Sequence, residues 1–282
     1  MATKRTYAET LAAAKARGGA IVPKAEQMKL PFWPEEVRGV PNAVLRGALF
    51  TVSKERDTIK DARQIASVEG IEISFKGERF NQTDLDLLEV LLHLQRLQPL
   101  GDKVEFSIDG MLRELGRGVS GKHHAELKNQ VMRLMGGAIE IKWTKERKAF
   151  GGTFITGYFR DDDTGRYVVI FNPKMLQLYS NGHTYIDWNE RQALGQNNLA
   201  KWLHGFYASH AAPFAYKVST LQRLCGSTVD RLGDFRKMLR LALAKLVEIG
   251  AFTGWEIEPR TDTLTIQKTP TGTQQRHLRR KK

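Results

Sequence analysis

The chain has little that would cross-link it or anchor it in a bilayer. One cysteine, Cys225, in 282 residues leaves no partner for an intramolecular disulfide and excludes a zinc site built on several thiolates. Charges interrupt the apolar stretches at helical spacing, so no run reaches the roughly 20 residues of a bilayer-spanning helix. The opening MATKRTYAETLAAAKARGG carries basic residues and alanines but no apolar centre, unlike a secretory signal. The cytosol is the expected compartment. Acidic residues are also short: 31 Asp and Glu stand against 44 Lys and Arg, a formal charge of +13 and a pI near 9.8. Such an excess attracts polyanions, which makes nucleic acid the first partner to expect and an anionic membrane surface the second. What the chain does have is core: 41% hydrophobic residues and five Trp can fill one large core or two smaller ones, and the length favours two.

Residues 1–35 read as a flexible N-terminal arm, helical around Thr10 to Arg17 and then broken by Gly18-Gly19, Pro23, Pro31 and Pro34. Alternation in QIASVEGIEISFKG predicts strands. NQTDLDLLEVLLHLQRL predicts a core helix capped by Thr83, with Leu85, Leu88, Leu91 and Leu92 on one stripe. KVEFSIDGMLRELG reads as a strand entering a helix capped by Asp109. SGKHHAELKNQVMRLMGG follows as a second helix with Leu127, Val131, Leu134 and Met135 on its apolar side, ended by Gly136-Gly137. AIEIKWTKER and GTFITGYFRD then predict a hairpin, and GRYVVIFN a third strand.

The second half repeats this order. QNNLAKWLHGFYASHA is a helix, YKVSTLQRLCG a short strand before a helix capped by Ser219, RLGDFRKMLRLALAKLVEIGAF a long helix stopped by Gly250, and FTGWEIEPRTDTLTIQK a hairpin. Aligning Asp109 with Ser219 matches Gly116 to Gly226 and indicates a duplicated unit. The expected fold is α+β: two tandem winged-helix domains, 36–180 and 181–268, between the arm and a basic tail, 269–282, whose RHLRRKK offers nonspecific phosphate contacts.

One stretch tests the reading. GRGVSGKH, residues 116–123, nearly spells the phosphate-binding loop G-x-x-x-x-G-K-[ST]. A working loop leaves a buried strand and opens a helix so that backbone N–H groups converge on phosphate. Here the preceding DGMLRELG has helical spacing, His123 stands where a magnesium-binding hydroxyl belongs, and the nearest candidate for a Walker B strand, YVVIFN, ends in Asn172. The expectation is therefore a protein without ATPase or other enzymatic activity and without a cofactor. As the turn of a helix-turn-helix the stretch fits: glycines allow the change of direction, Ser120 caps the next helix, and Lys122 and His123 lie in its first turn.

On this reading the DNA-binding side chains are Lys122, His123, Asn129 and Arg133 on the first long helix, and Lys142, Lys145 and Arg147 on the hairpin after it. The second unit contributes Lys217, Ser219, Thr220, Arg223, Arg231, Arg236, Lys237 and Arg240, with Arg260 on its wing. The alternative for each residue is the solvated side of an amphipathic element. Adjacent histidines His123 and His124 point about 100° apart on a helix and make a poor metal pair. Cys225 falls at an inward position as a small core residue.

The entry LPFWPEEVRGVPNAVLRGALFT, with MLRELGRGVSGKHHAELKNQVMRLMGGAIEI and STLQRLCGSTVDRLGDFRKMLRLALAKLVEIGAF, resembles the replication initiators of iteron-containing plasmids, above all those of broad-host-range IncP plasmids, over essentially the whole chain. The resemblance implies a bacterial, plasmid-associated protein that binds repeated duplex sites at an origin and helps open an AT-rich element. It implies that the chain binds the resulting single strand and recruits the host initiator, helicase and sliding clamp. A monomer–dimer equilibrium is implied as well. Trp143, Phe150, Phe154 and Tyr158 are possible platforms for the single strand. Family initiators meet the clamp through a motif similar to Q-L-x-L-F; RGALF offers Leu49-Phe50 without the Gln, and packing in the first domain is the competing role. Two rivals predict different outcomes. A winged-helix transcriptional repressor would bind without melting, and a rolling-circle nicking enzyme would leave a covalent phosphotyrosyl adduct on origin DNA.

Overall fold

In the computed structural model, residues 30–31, 33–97, 102–161, 163, 165–271, 274–275 and 278–279 are described. The expected arm lies outside them up to Lys29, and its last residues are built into the core instead. Trp33 is buried; its Nε1–H donates to His93 Nδ1 (3.1 Å) and the His93 Nε2–H to Glu35 (2.9 Å), while Arg96 lies over the indole. A large aromatic ring outweighs the breaking effect of the neighbouring prolines.

The architecture is mixed α and β. The first part runs β1 (Val37–Pro41), α1 (Asn42–Leu45), β2 (Phe50–Thr51), β3 (Thr58–Ile65), β4 (Ile71–Glu78), β5 (Phe80–Asn81) and α2 (Gln82–Leu97). It continues through β6 (Lys103–Ser107), α3 (Ile108–Glu114), α4 (Gly121–Gly136), β7 (Ala138–Trp143), β8 (Lys148–Gly152), β9 (Ile155–Asp161) and β10 (Arg166–Phe171). After a 3-10 turn come α5 (Gln177–Ser180), β11 (His183–Asp187) and α6 (Trp188–Ala193). The second part is α7 (Asn198–Ala208), β12 (Tyr216–Lys217), α8 (Val218–Leu224), α9 (Leu232–Glu248), β13 (Gly254–Glu258) and β14 (Thr263–Gln267). One apolar core runs from Trp33 to Trp188 and a second from Leu194 to Ile266. β11 pairs with β1, so residues 183–187 belong with the first core rather than the second.

The internal repeat is visible in the sheets. The first has order β6-β10-β9 and the second β12-β14-β13, both antiparallel, so each strand before a helix pair lies against the last strand of its unit. The helix pairs enter alike: the Ile108 N–H donates to Gly165 O (3.0 Å) and the Val218 N–H to Asp262 O (2.9 Å), both acceptors having positive φ.

One predicted hairpin belongs elsewhere. The segments expected to pair with each other, β7 and β9, lie in different sheets: KAFG, expected as their turn, is part of strand β8, which pairs with β7 in a four-stranded sheet of order β3-β4-β7-β8, and the hairpin attached to the helix pair is β9–β10. Ile71, Ile73 and Phe75 of β4 face Trp143, Ile141 and Ile139 of β7. Strand periodicity says that one face is buried, not which strand covers it. Lys142, Lys145 and Arg147 thus leave the helix-turn-helix and sit at the end of this separate sheet, exposed, with Lys142 3.2 Å from Glu140.

Three caps also differ from expectation. Asn81 rather than Thr83 opens α2, its Oδ1 accepting from the Thr83 N–H (3.0 Å), while Ser107 rather than Asp109 caps α3 by accepting from Gly110 N–H (3.2 Å). Ser219 lies one residue inside α8, which has no side-chain cap. Each of the three helices begins two residues earlier than the hydrophobic pattern suggests, because the first turn is set by backbone geometry at the strand end and not by the apolar stripe.

The two parts are joined by a buried ionic cluster. Asp86 and Glu89 of α2 meet Arg191 of α6 and Lys201 of α7: Asp86 Oδ1 lies 2.8 Å from Arg191 Nε and Oδ2 2.6 Å from Lys201 Nζ. Arg191 Nε also lies 2.9 Å from Glu89, but the Glu89 oxygens accept no hydrogen bond, since the Nε–H is directed at Asp86. Burial pushes the Glu89 carboxyl up to about 7 against the opposing pull of Arg191. The folded chain therefore holds a proton that the unfolded chain releases near 4.5. Stability contributed this way is complete below the unfolded value and is lost as pH rises through the folded one. The unfolding free energy from urea titrations should fall between about pH 5 and pH 7, by ~3 kcal/mol at most, and level off above. Glu89→Gln should flatten that slope; an unchanged slope would assign it to another group.

Candidate nucleic-acid interface

The glycine-rich stretch that resembles a phosphate loop is the end of one helix and the start of another. After α3, Gly116 takes φ +66°, the Gly116 N–H donates to Arg113 O (2.9 Å) and the Arg117 N–H to Leu112 O (2.8 Å). After α8, Gly226 takes φ +63°, with the Gly226 N–H on Arg223 O (3.1 Å) and the Ser227 N–H on Gln222 O (3.2 Å). This paired pattern is the Schellman motif, which needs a left-handed residue and so selects glycine. At Gly226 a second reason applies: a Cβ there would lie 2.7 Å from Thr51 Cγ2 of the first part. The approach to Gly116 is a helix, so its backbone is spent on capping α3 and is not splayed from a strand end toward phosphate.

Ser120 caps α4 as expected, accepting from the His123 N–H (3.4 Å). His123 serves the same turn, its Nδ1–H donating to Gly118 O (2.6 Å), and its ring lines a cleft of about 560 Å³ between the two parts with Arg117, Trp188 and Lys201. His124 Nε2 lies 3.0 Å from Asp109, tying α4 to α3. Lys122 and Asn129 are exposed on α4. Arg133 is not: it turns back to Asp84, which is buried, at 2.9 Å and to Glu78 at 3.4 Å. The buried side of α4 is Leu127, Gln130, Val131 and Leu134. Gln130 reaches Thr83 O (2.6 Å) and Arg117 (2.7 Å), which rotates the helix so that Lys128 faces solvent in place of Arg133. The sequence reading took Arg133 as outward and left Lys128 out, because the apolar stripe Leu127, Val131, Leu134 and Met135 does not show that Gln130 is buried beside it.

The second unit gathers its predicted residues more closely. Lys217, Ser219, Arg223 and Arg231 are exposed, Thr220 is half-buried, and among the described residues none has a side-chain hydrogen bond or ion pair. On α9, Arg236 makes a two-pronged contact with Asp262, Nε to Oδ1 and Nη2 to Oδ2 both at 2.8 Å. Asp262 follows Arg260 by two residues in the β13–β14 turn, so this pair sets the turn's exposed cation beside the outer face of α9. The hydrogen bonds from Arg236, with the charges of Arg236 and Arg240, hold the Asp262 carboxyl below its ordinary range. Arg240 is exposed, and Lys237 pairs with Asp234, one helical turn away at 3.1 Å. Asp262 was absent from the sequence reading because an acid in a basic patch carries no signal until its partner is known.

Leu49 and Phe50 are buried to 1% exposure each. Phe50 stacks on Phe80 (5.2 Å) and Phe154 (5.8 Å), which leaves this pair no surface for a clamp; packing in the first core is their role. Trp143, Phe150 and Phe154 are buried as well and Tyr158 is half-buried, whereas Phe159, unremarked in the sequence, stands exposed on β9. Gln274 of the tail docks on Ala208 O (2.7 Å), while Arg276 and the last three residues lie outside those described. Among the described residues no group of acidic, histidine and cysteine side chains is placed to hold a metal ion, and no helix is long and apolar enough to cross a membrane.

Two units of the same strand, helix, turn, helix and hairpin order, each with one long cationic helix at its surface, make this a mixed α and β protein with an internal repeat. The family described as TrfA protein matches residues 23–256, and the chain belongs to it. A plasmid replication initiator protein TrfA from Escherichia coli is 23% identical over 224 residues, which are 76% of this chain; the chain thus spans 58% of that relative's length. Among solved structures, a crystal structure of domains 2 and 3 of RctB superposes with a TM-score of 0.56 at 14% identity, covering 81% of this chain and 98% of the other. A second structure of RctB domains 2–3 gives 0.53 at 15% identity, covering 81% and 97%. At such identities the likeness concerns the fold.

Proposed function

We propose that the chain is a plasmid replication initiator that binds repeated duplex sites, iterons, at an origin. In this reading the two units are winged-helix domains meeting between Trp188 and Leu194, with β9–β10 and β13–β14 as wings and α4 and α9 as the helices entering the major groove. The observation that carries it is the outer face of α9. Arg240 is exposed on it, Arg236 is held by Asp262, and the turn bearing Arg260 is drawn alongside. Family membership supports the same reading.

The work done is mechanical and non-enzymatic. Two domains fixed relative to one another by buried ion pairs grip each repeat at set spacing, and several copies side by side strain the duplex. A flexible AT-rich element is where unpairing then costs least. Capture of that single strand, recruitment of host initiator, helicase and clamp, and control by a monomer–dimer balance belong to the same proposal, as does a cytoplasmic location. With Leu49-Phe50 buried, any clamp contact must use other residues. Permanganate reactivity of thymines in the AT-rich element on supercoiled origin plasmid is the test: reactivity that rises with added protein supports initiation, and duplex footprints without it would leave a repressor.

Arg240→Ala should weaken binding to the iteron duplex by about 1–3 kcal/mol while changing affinity for random duplex much less, as expected for a side chain at a base edge. Equal losses on both duplexes, measured by titration at one salt concentration, would reduce Arg240 to a phosphate contact.

A further inference from the structure

The outer face of α9 is not uniformly polar. Leu241 is 72% exposed and Met238 44%, one turn apart, and neither belongs to the second core. Leu241 sits at the middle of the exposed face, with Lys237 four residues before it, Ala244 three after it and Arg240 adjacent. An isolated exposed leucine is ordinary; an apolar pair ringed by cations, on a surface helix whose Arg236 is held by a turn carboxylate, asks for a particular occupant. A protein surface apolar enough to cover Leu241 would have to desolvate Arg240 and the exposed Lys237–Asp234 pair without supplying charges of its own, at high cost. Duplex DNA answers both needs, since it neutralises the cations with phosphate and its one apolar group in the major groove is the thymine 5-methyl.

The sister helix supports the contrast. Matching the buried stripes Leu127, Gln130, Val131, Leu134 and Leu239, Ala242, Leu243, Leu246 brings Lys128 onto Arg240 and Asn129 onto Leu241. Where one helix offers an amide, suited to hydrogen bonding, the other offers a branched hydrocarbon. We infer that Leu241 and Met238 are specificity-determining residues that read thymine methyl groups within the duplex repeat. The inference rests on α9 facing the major groove, as proposed above.

The test uses the full chain and the duplex it selects from a random pool, with each thymine replaced in turn by uracil, which keeps the base pair and removes only the methyl group. Wild-type affinity should fall about fourfold at one or two positions, the worth of one buried methyl group. Leu241→Ala should bind the all-thymine duplex roughly tenfold more weakly and lose its discrimination at one of those positions; Met238→Ala should lose it at the neighbouring one. Both side chains are outside the core, so the variants should fold, as a melting curve will verify. Thymine–uracil discrimination unchanged in both variants would overturn the inference while leaving α9 as the duplex-facing helix. A selected site without thymine would do the same, and so would a shift of free Leu241→Ala toward monomer in sedimentation, which would make this face a contact between copies. If the chain selects no preferred duplex at all, the proposed function fails and the inference with it.

Discussion

Asp86→Ala is expected to destabilise the chain by about 3–5 kcal/mol, the usual effect of removing one partner from a buried ionic cluster. Its two oxygens lie 2.8 Å from Arg191 Nε and 2.6 Å from Lys201 Nζ, with all three side chains nearly out of solvent. Burial already depresses the Lys201 pKa, and Asp86 opposes that depression. Alanine would strand two cations beside Glu89, the one carboxyl left, whose own ionisation is disfavoured by burial. Because α2, α6 and α7 meet here, the variant should also loosen the spacing between the two long surface helices. Urea denaturation followed by tryptophan fluorescence measures the first effect. Asp86→Leu combined with Lys201→Met should recover much of the loss, since matched apolar groups can replace a buried pair at little cost. A loss under ~1 kcal/mol for Asp86→Ala would mean that water reaches the cluster.

Phe50→Ala should lower stability by a similar amount, about 3–5 kcal/mol. The ring lies between Phe80 and Phe154 at centroid distances of 5.2 and 5.8 Å, Phe75 completes the group against Phe80 at 4.9 Å, and the Phe50 carbonyl accepts from Gln82 Nε2 at 2.7 Å. Removing the ring opens a cavity where β2 meets β5, at the start of α2 and beside the joint with the second part, whose Cys225 carbonyl accepts from the Val52 N–H (3.0 Å). A side chain kept for a peptide-like contact with a clamp would be exposed, and its loss would leave stability within ~0.5 kcal/mol. The urea midpoint of Phe50→Ala thus separates the two roles directly.

Much of the second unit was legible. Helical periodicity located α7 and α9, the aligned glycines proved to be two copies of one capping motif, and the outward cations Lys217, Arg223, Arg231, Lys237, Arg240 and Arg260 are indeed exposed. The first unit was read less well, and for one reason. A residue's type and spacing tell whether it faces inward, but the identity of what it faces depends on segments distant in sequence. Arg133 looks like a groove-facing cation until Asp84, 49 residues earlier, is found buried and in need of a counter-charge. Lys142, Lys145 and Arg147 look like a wing until β4 claims β7.

Composition and local pattern alone determined the attraction to polyanions, the repeated strand-helix-turn-helix-hairpin order, and the failure of GRGVSGKH as a phosphate loop, because charge and backbone propensity act over a few residues at a time. Which hairpin accompanies each helix pair, which arginine is consumed by a buried acid and which is held at the surface by a turn carboxylate, and how Asp86 binds the two halves together were decided only by the tertiary structure. Those outcomes follow from long-range pairing and desolvation, and neither is written in the neighbourhood of the residue it governs.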